Sequence, residues 1–458
     1  MIGSDLPIQA ITPNGPGHQF IFYADSCSGI PNGPNEKNFA SINEVISRLY
    51  PQPEFICFPG DEIQGLKSDS AILRDQWRYW IDVEMAWLNT DEIPIYHTTG
   101  NHTAYDQASN LVFREVLAHL PQNGPAGQKG LTYFVRKQDL LMVFVNTLNE
   151  ELGGEGWVEV EWLEQTLKAH SDAKHKLVIG HHPIHPVNGY SGQHQRTIEY
   201  LNGSEFWSLL VQHNVLAYIC SHILAFDVQV HQGVLQILTG GAGTMPLSPE
   251  PIEYHHCIQA VIDSNGLRYQ VLDIRGNVRE RLKWPLQLPP SAHWQEFTGE
   301  IFNEASKSAD PQLCDQFTVF EISGVCSSGN SGTPQTLMCA NSQGSTLSSI
   351  WVGLRGKENK LCVLIIPEKG RSPRFWIGPS LNADKPFSIH LGFHTRMGPG
   401  GLLWRWDDAH AWSSLLGTTA WGVEKVEWPS QWLIGQDQYG EQGRRFRGSN
   451  LSIKFHAH

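Results

Sequence analysis

The chain has no apolar run approaching the roughly 20 residues that a membrane-spanning helix needs, and Met1 to Gly15 lacks the basic-then-apolar pattern of a secretory leader. No membrane partner is expected, and the cytoplasm is the default location. Cysteine is sparse and scattered, eight in 458 residues with no CxxC pair, so no disulfide framework is required. Cys57 and Cys220 lie in apolar, strand-like runs and read as core thiols. Cys314, Cys326, Cys339 and Cys362 are left to pair only if the chain meets an oxidising compartment. Positive charge is also short, with 33 Lys and Arg against 46 Asp and Glu. From residue 291 onward the two balance at 15 each, so the whole excess of −13 belongs to the earlier part, 18 against 31. Duplex binding rests on several phosphate contacts from Lys and Arg, so nucleic acid is excluded as a partner, whereas an acidic domain suits divalent cations. The short cluster Arg444, Arg445 and Arg447 reads as a solvated loop face. There is no internal repeat and no long low-complexity segment. Thr239-Gly-Gly-Ala-Gly243 follows a strand but lacks the Lys-Ser or Lys-Thr of a phosphate-cradling loop, so it reads as a tight turn.

A chain of this length exceeds one ordinary core, which predicts two domains. Residues 1–285 alternate β-rich runs with amphipathic stretches, the pattern of a layered α/β domain. Strands are expected at Phe20 to Ala24, Glu54 to Phe58, Pro94 to Tyr96, Leu140 to Val145, Lys176 to Ile179, Val215 to Ile219, Phe226 to Val230 and Val234 to Leu238. Helices are expected at Asn38 to Leu49, Ala71 to Leu88, Asn110 to Leu120, Val158 to His170 and Glu205 to His213, where apolar residues recur at three-to-four spacing. Pro285, Pro289 and Pro290 punctuate a linker at 286–294. Beyond it, at 295–458, Gly, Ser and Trp rise and helical periodicity fades. Strand-like runs such as Leu361 to Ile366 and Phe387 to Leu391 point to an all-β, jelly-roll-like sandwich.

Five short segments carry the chemistry: Asp25-Ser-Cys27, Gly60-Asp61, Gly100-Asn101-His102, His181-His182-Pro183 and Ser221-His222-Ile223-Leu224. Most follow a predicted strand, and ligands collect at the carboxyl ends of strands in open α/β sheets. Their order and spacing resemble the signature of the calcineurin-like metallophosphoesterases, which reads DxH, GD, GNH[DE], an isolated H and GHxH. The resemblance implies a four-layer α/β/β/α sandwich and metal-dependent hydrolysis of a phosphomonoester or phosphodiester by activated water. Two divalent ions clamp such a phosphate and activate the water. It also assigns roles. The second metal would be held by Asp61, Asn101, His181 and His222, with Asp61 bridging to the first, and His102 would stand beside the phosphate to protonate the leaving oxygen. Mixed oxygen and nitrogen donors suit Mn, Fe, Zn or Ni.

The first-metal half departs from the pattern. Cys27 stands where the family has His, Leu224 where it has the second His of GHxH, and Thr103 where an acid follows GNH. Asp25 and Cys27 remain as ligand candidates, and two readings of Cys27 stay open, a soft thiolate ligand or a plain buried thiol. Asp227 and His231 follow closely enough to be candidates to replace position 224. One ion is therefore expected to be held firmly and a second weakly. His182, His255 and His256 are candidates for substrate contact, and His97, His185 and His194 are further cleft candidates. The closing stretch, Trp432 to Gly435, Phe446 to Gly448 and Leu451 to Phe455, resembles laminin-G or concanavalin-like lectin domains, implying contact with a glycan or protein. Alternatives to hydrolysis are a phosphoesterase fold that serves only as a binding scaffold, and a single-metal enzyme acting on a non-phosphate biosynthetic intermediate.

Overall fold

A computed structural model describes residues 6–148, 156–185, 197–247, 250, 253–288, 294–297, 317–327, 332–340, 349–366, 373–394, 402–406, 411–417, 432–437 and 444–457. It divides into two units, one formed by Met1–Val228 and Val234–Pro285, the other by Gln229–Gly233 and Leu286–His458. Pro289, Pro290, His194 and Cys314 lie outside the described residues.

Up to Pro285 the chain contains, in order, β1 (Ile8–Gln9), β2 (Gly17–Phe22), α1 (Glu36–Ser47), β3 (Leu49–Tyr50), β4 (Phe55–Phe58), α2 (Ser70–Tyr79), β5 (Ile95–His97), α3 (Gln107–Val116), β6 (Tyr133–Lys137), β7 (Leu140–Phe144), α4 (Val160–Ala169), β8 (His175–Ile179), α5 (Tyr200–Gln212), β9 (Ala217–Cys220), β10 (Phe226–His231), β11 (Val234–Thr239), β12 (His256–Asp263), β13 (Gly266–Asp273) and β14 (Val278–Trp284). They build two six-stranded sheets, ordered β14-β13-β12-β2-β4-β5 and β10-β11-β9-β8-β7-β6. In the first sheet β2, β4 and β5 are parallel, while β12 returns antiparallel beside β2 with Ile258 opposite Phe22. In the second, β7, β8, β9 and β11 are parallel. Parallel strands buried on both faces need continuous apolar runs, which β7 (LLMVF) and β4 (FICF) supply at full burial.

Helices cover the outer faces. Leu163 and Leu167 of α4 and Phe206 and Leu210 of α5 pack with Val143, Val178 and Tyr218. On the other sheet Phe39 of α1 stacks on Tyr23 and meets Phe58 edge-on. The sheets face each other through Tyr96 with Phe144 and Phe226 with Tyr269, at ring centroids of 5.7 and 6.2 Å. This is the α/β/β/α layering of the metallophosphoesterases. Helix starts follow side-chain capping: Asp69 accepts from the Ala71 and Ile72 amides ahead of α2, and Asp106 forms a capping box with Ser109 ahead of α3. The helix expected from Ala71 to Leu88 is regular only to Tyr79 and then widens into a π-turn, Trp80–Glu84. Six strands, β1, β3, β6, β12, β13 and β14, were not among those expected.

The second unit is mostly β, with two further six-stranded sheets. Strands Phe317–Cys326, Pro386–His394 and Gly448–Ala457 lie side by side antiparallel in one, and Gln335–Ala340, Ser349–Arg355, Lys360–Ile366 and Arg374–Ser380 in the other. Alternating residues such as Phe320, Ile322, Ile389, Val352, Leu354 and Val363 form its core. Trp376, Trp412 and Trp432 are buried, so these tryptophans pack the interior rather than offer stacking surfaces. Cys326, Cys339 and Cys362 are buried, as are Cys57 and Cys220. Among the described residues no helix is long and apolar enough to cross a membrane.

Candidate metal centre

Five loops carry the motif residues, and each begins just after a parallel strand. β2 leads to Asp25 and Cys27, β4 to Asp61, β5 to Asn101 and His102, β8 to His181 and His182, and β9 to His222. The first two loops run side by side, with backbone donation from Asp25 to Gly60 (3.3 Å), Cys27 to Asp61 (2.8 Å) and Ser28 to Glu62 (3.0 Å). The glycine-rich segment after β11 is a tight turn at the site. Ala242 donates to the Ala24 carbonyl at 2.8 Å, and the Thr244 amide and hydroxyl both donate to the Asp25 carbonyl.

The backbone is strained here. Asp25, Cys27, Asp61 and His222 take φ of 62°, 39°, 60° and 74°, the left-handed region that residues other than glycine seldom occupy and that costs about 1–3 kcal/mol each. Gly100 permits the closest approach, since a Cβ there would stand 2.1 Å from Asp61 Oδ1.

Four motif side chains converge tightly. Asn101 Oδ1 lies 2.8 Å from His222 Nδ1 and 3.1 Å from His181 Nε2. His181 Nε2 is 3.2 Å from His222 Nδ1 and 3.3 Å from Asp61 Oδ2. The Nδ1–H of His181 donates to the Pro59 carbonyl at 2.8 Å, turning Nε2 inward, the outer hydrogen bond typical of a metal-ligating imidazole. Burial opposes the charged form of Asp61, but the His181 and His102 imidazoles outweigh it and hold the carboxyl below its ordinary range. Burial likewise opposes charge on His181, yet Asp61 raises its pKa to about 9. Two oxygen and two nitrogen donors drawn together in this way fit a divalent transition ion.

The other half is poorer. Asp25 accepts from the Ser221 hydroxyl and from the His222 amide at 3.1 Å. Burial pushes its carboxyl up to about 8, with His181 opposing and Asp61 adding to the rise. Burial, then Asp61 and Asp25, push the Cys27 thiol well up. A cation would reverse both shifts, because it favours carboxylate and thiolate. Ligand atoms of Cys27, Asp61 and His102 lie within 4.8 Å of one another, as do those of Asp25, Asp61 and His181. Leu224 offers no donor. Among the described residues Asp227 and His231 join no such group: Asp227 is buried within β10, and His231 Nε2 sits 3.0 Å from Gln229 Oε1.

His102 is anchored twice. Its amide donates to Asp61 Oδ1 at 2.8 Å and its Nδ1–H to the Gln64 carbonyl at 2.6 Å, which leaves Nε2 as the outer ring nitrogen. Thr103 is buried, and its hydroxyl accepts from the Gly100 amide and donates to the Gly100 carbonyl. It closes its own turn, so Gln64 rather than residue 103 orients the His102 ring.

The three substrate-contact candidates separate. His182 is fully buried and packs against His181 and His222, at centroid distances of 5.0 and 4.5 Å. His256 is also fully buried, with Nδ1 on the Tyr254 carbonyl and Nε2 on the Thr239 hydroxyl. His255 is half-buried and lines a pocket with Tyr254, Glu253 and Arg279 that includes none of the motif residues. Of the further cleft candidates, His185 packs on Trp207, and His97 is held against Glu62.

Sequence reasoning missed three supports. Glu62 and His97 form a buried pair at 2.8 Å in which burial raises the carboxyl well above its ordinary value and lowers the imidazole to about 3. Glu84, at the end of the π-turn, accepts from the Ser28 hydroxyl and from the Gly29 amide at 2.9 Å, fastening the loop that carries Cys27. Thr147 holds His182. The adjacency of Glu62 to Gly60-Asp61 was the one available signal, since Glu84 and Thr147 lie far from any motif.

No curated protein matches the chain. Solved structures that resemble it include a purple acid phosphatase from yellow lupin (Lupinus luteus) seeds, at 12% identity, TM-score 0.45, covering 59% of this chain and 54% of that one. A dimetal phosphatase from Danio rerio matches at 17% identity, TM-score 0.43, covering 58% and 99%. GAP50, the anchor in the inner membrane complex of Plasmodium, matches at 17% identity, TM-score 0.40, covering 60% and 90%. This chain thus spans about half the length of the lupin protein. Residues 18–226, which hold all five motifs, match the model of the calcineurin-like phosphoesterases, and this part of the chain belongs to that family.

Proposed function

We propose that the chain is a metal-dependent phosphoesterase that hydrolyses a phosphomonoester or phosphodiester, with one firmly held ion and a degenerate first site. The catalytic domain is residues 1–285, with 286–294 as linker. The observation that carries this reading is the convergence of Asp61, Asn101, His181 and His222, whose donor atoms pair at 2.8–3.3 Å, beside a doubly anchored His102.

A divalent ion at such a site supplies Lewis acidity toward phosphoryl oxygens and a lowered pKa for water. The chain's own groups do the rest. His181, held by Pro59, and His222, held against Asn101, present nitrogen donors without needing to reorganise. Asp61 keeps one oxygen on the His102 amide and the other toward His181, so the carboxylate is fixed in orientation. His102 carries a proton at Nε2 toward the departing ester oxygen, a contribution typically worth about 100- to 10,000-fold. Asp25 and Cys27 remain beside this centre without the further donor of the family pattern, because position 224 is leucine.

The test is turnover of aryl phosphate mono- and diesters by the full chain with added Mn, Zn, Fe or Ni, compared with His102→Ala. Turnover lost in the variant at unchanged metal content supports the reading. Bound metal with no turnover on any phosphate ester transfers weight to a non-phosphate reaction, and absence of metal to a binding scaffold.

A further inference from the structure

His182 carries the observation that the family signature does not absorb. It follows His181 directly, is fully buried, and its ligand atom lies within 4.8 Å of those of both His181 and His222. We propose that His182 is a third imidazole ligand, so that the ion sits in a nitrogen-rich site formed by His181, His182 and His222 with Asp61 and Asn101.

The residue is held as ligands are held. Its amide donates to Thr147 Oγ1 at 3.2 Å, its Nδ1 lies 2.9 Å from the same hydroxyl, and the Tyr218 hydroxyl donates to its carbonyl at 2.6 Å. Backbone and ring are therefore fixed together by β9 and by the turn after β7. Gly156 gives it room, since a Cβ there would come within 3.0 Å of His182 Cβ. With Nδ1 on Thr147, Nε2 is the nitrogen assigned to the ion in this proposal. His181 repeats the arrangement, with Nδ1 on Pro59 and Nε2 inward. An outer hydrogen bond on one ring nitrogen, fixing the tautomer and aiming the other, is the usual support of a metal-binding imidazole.

The packing histidines of this same domain look different. His97 stands against a carboxyl group, and His256 donates from Nδ1 to the Tyr254 carbonyl while its Nε2 meets the Thr239 hydroxyl. His182 instead packs against two other imidazoles, edge-on to His181 and tilted to His222, an arrangement that a shared cation would stabilise. A third nitrogen shifts preference from Mg and Ca toward Zn, Ni or Cu. It also offers a reason why a single ion suffices when position 224 is leucine, because the remaining site gains a donor as the neighbouring one loses it.

This deepens the phosphoesterase reading, since the ion is the one that reading requires. The experiment is electron paramagnetic resonance of the full chain loaded with one equivalent of Cu²⁺, together with competition titration of Zn²⁺, for the native protein, His182→Ala, His182→Gln and Thr147→Val. The native spectrum is expected to show hyperfine coupling to three nitrogens, falling to two in the His182 variants. Zn²⁺ affinity should fall at least about tenfold in those variants and measurably in Thr147→Val. A native spectrum with only two coupled nitrogens overturns the proposal, and needs no variant to fold. So does a His182→Gln protein with the native spectrum and affinity. If the proposal fails while ester turnover persists, the phosphoesterase reading stands. A three-nitrogen signal without turnover fails that reading and leaves the ligand assignment intact.

Discussion

On the proposed reading, Leu224 and Cys27 would weaken the first site in different ways: the leucine removes a donor outright, whereas the cysteine substitutes one that needs a cation to ionise. Burial and the neighbouring carboxylates raise the Cys27 thiol well above its ordinary value, so it would ligate only if an ion offsets both effects. Restoring the family pattern with Cys27→His and Leu224→His together is expected to raise bound metal from about one to about two per chain, measured by elemental analysis. His102→Ala is expected to cost roughly 100- to 10,000-fold in turnover with metal content unchanged. Gly100→Ala is expected to empty the site, because its Cβ would meet Asp61 Oδ1 at 2.1 Å. Equilibrium dialysis with Zn²⁺ checks this, and native affinity in that variant would contradict the geometry. At this scale Asp61, Asn101, His181 and His222 were legible, because the family spacing names them. His182 was legible as a residue but not as a role, because nothing in His-His-Pro says which ring turns toward Thr147.

The strands that deliver the site were easier to read than the strands that brace it. β4, β7 and β8 are short apolar runs buried on both faces, and β-rich segments of that kind announce themselves. β12 and β13 mix Gln259, Gln270 and Arg268 among apolar residues, and the buried glutamines are satisfied by each other at 3.1 Å and by the segment before β2. That pairing links positions some 250 residues apart, so no local pattern displays it. The π-turn after α2 was hidden for a related reason: Trp80–Glu84 keeps helical spacing in sequence, and only the Met85 amide's bond to the Trp80 carbonyl, at 2.9 Å, shows the widened turn. One consequence of this buried polar layer is a dependence on pH. Burial is the main cause that lowers the His256 pKa from its ordinary value to about 4. The unfolded chain therefore takes up this proton first as pH falls. The stability at issue is fully present above about pH 6.5 and is lost progressively down to about pH 4, to a total on the order of 3 kcal/mol. Urea midpoints measured between pH 7.5 and 4.5 should fall less steeply in His256→Gln than in the native chain. Equal slopes would show that His256 is not held neutral by burial.

Across the whole molecule, the acidic excess and the metal centre fall in the same unit, while the second unit is charge-balanced from residue 291 and has its own core around Phe320, Ile389 and Val363. The division into an α/β part and a mostly β part was visible as a change in composition near Pro285. The use to which the second part is put was not, because tryptophans that fill a core and tryptophans that stack on a ligand look alike until their burial is known. Calorimetry is expected to resolve two unfolding transitions, only one of which rises when Zn²⁺ is added. The claim on which the rest depends is the asymmetry of the centre, and metal content tests it most directly. Elemental analysis of protein purified without chelator should find about one ion per chain in the native protein and in Cys27→Ala, and essentially none in His222→Ala. Equal loss of metal from Cys27→Ala and His222→Ala would contradict it.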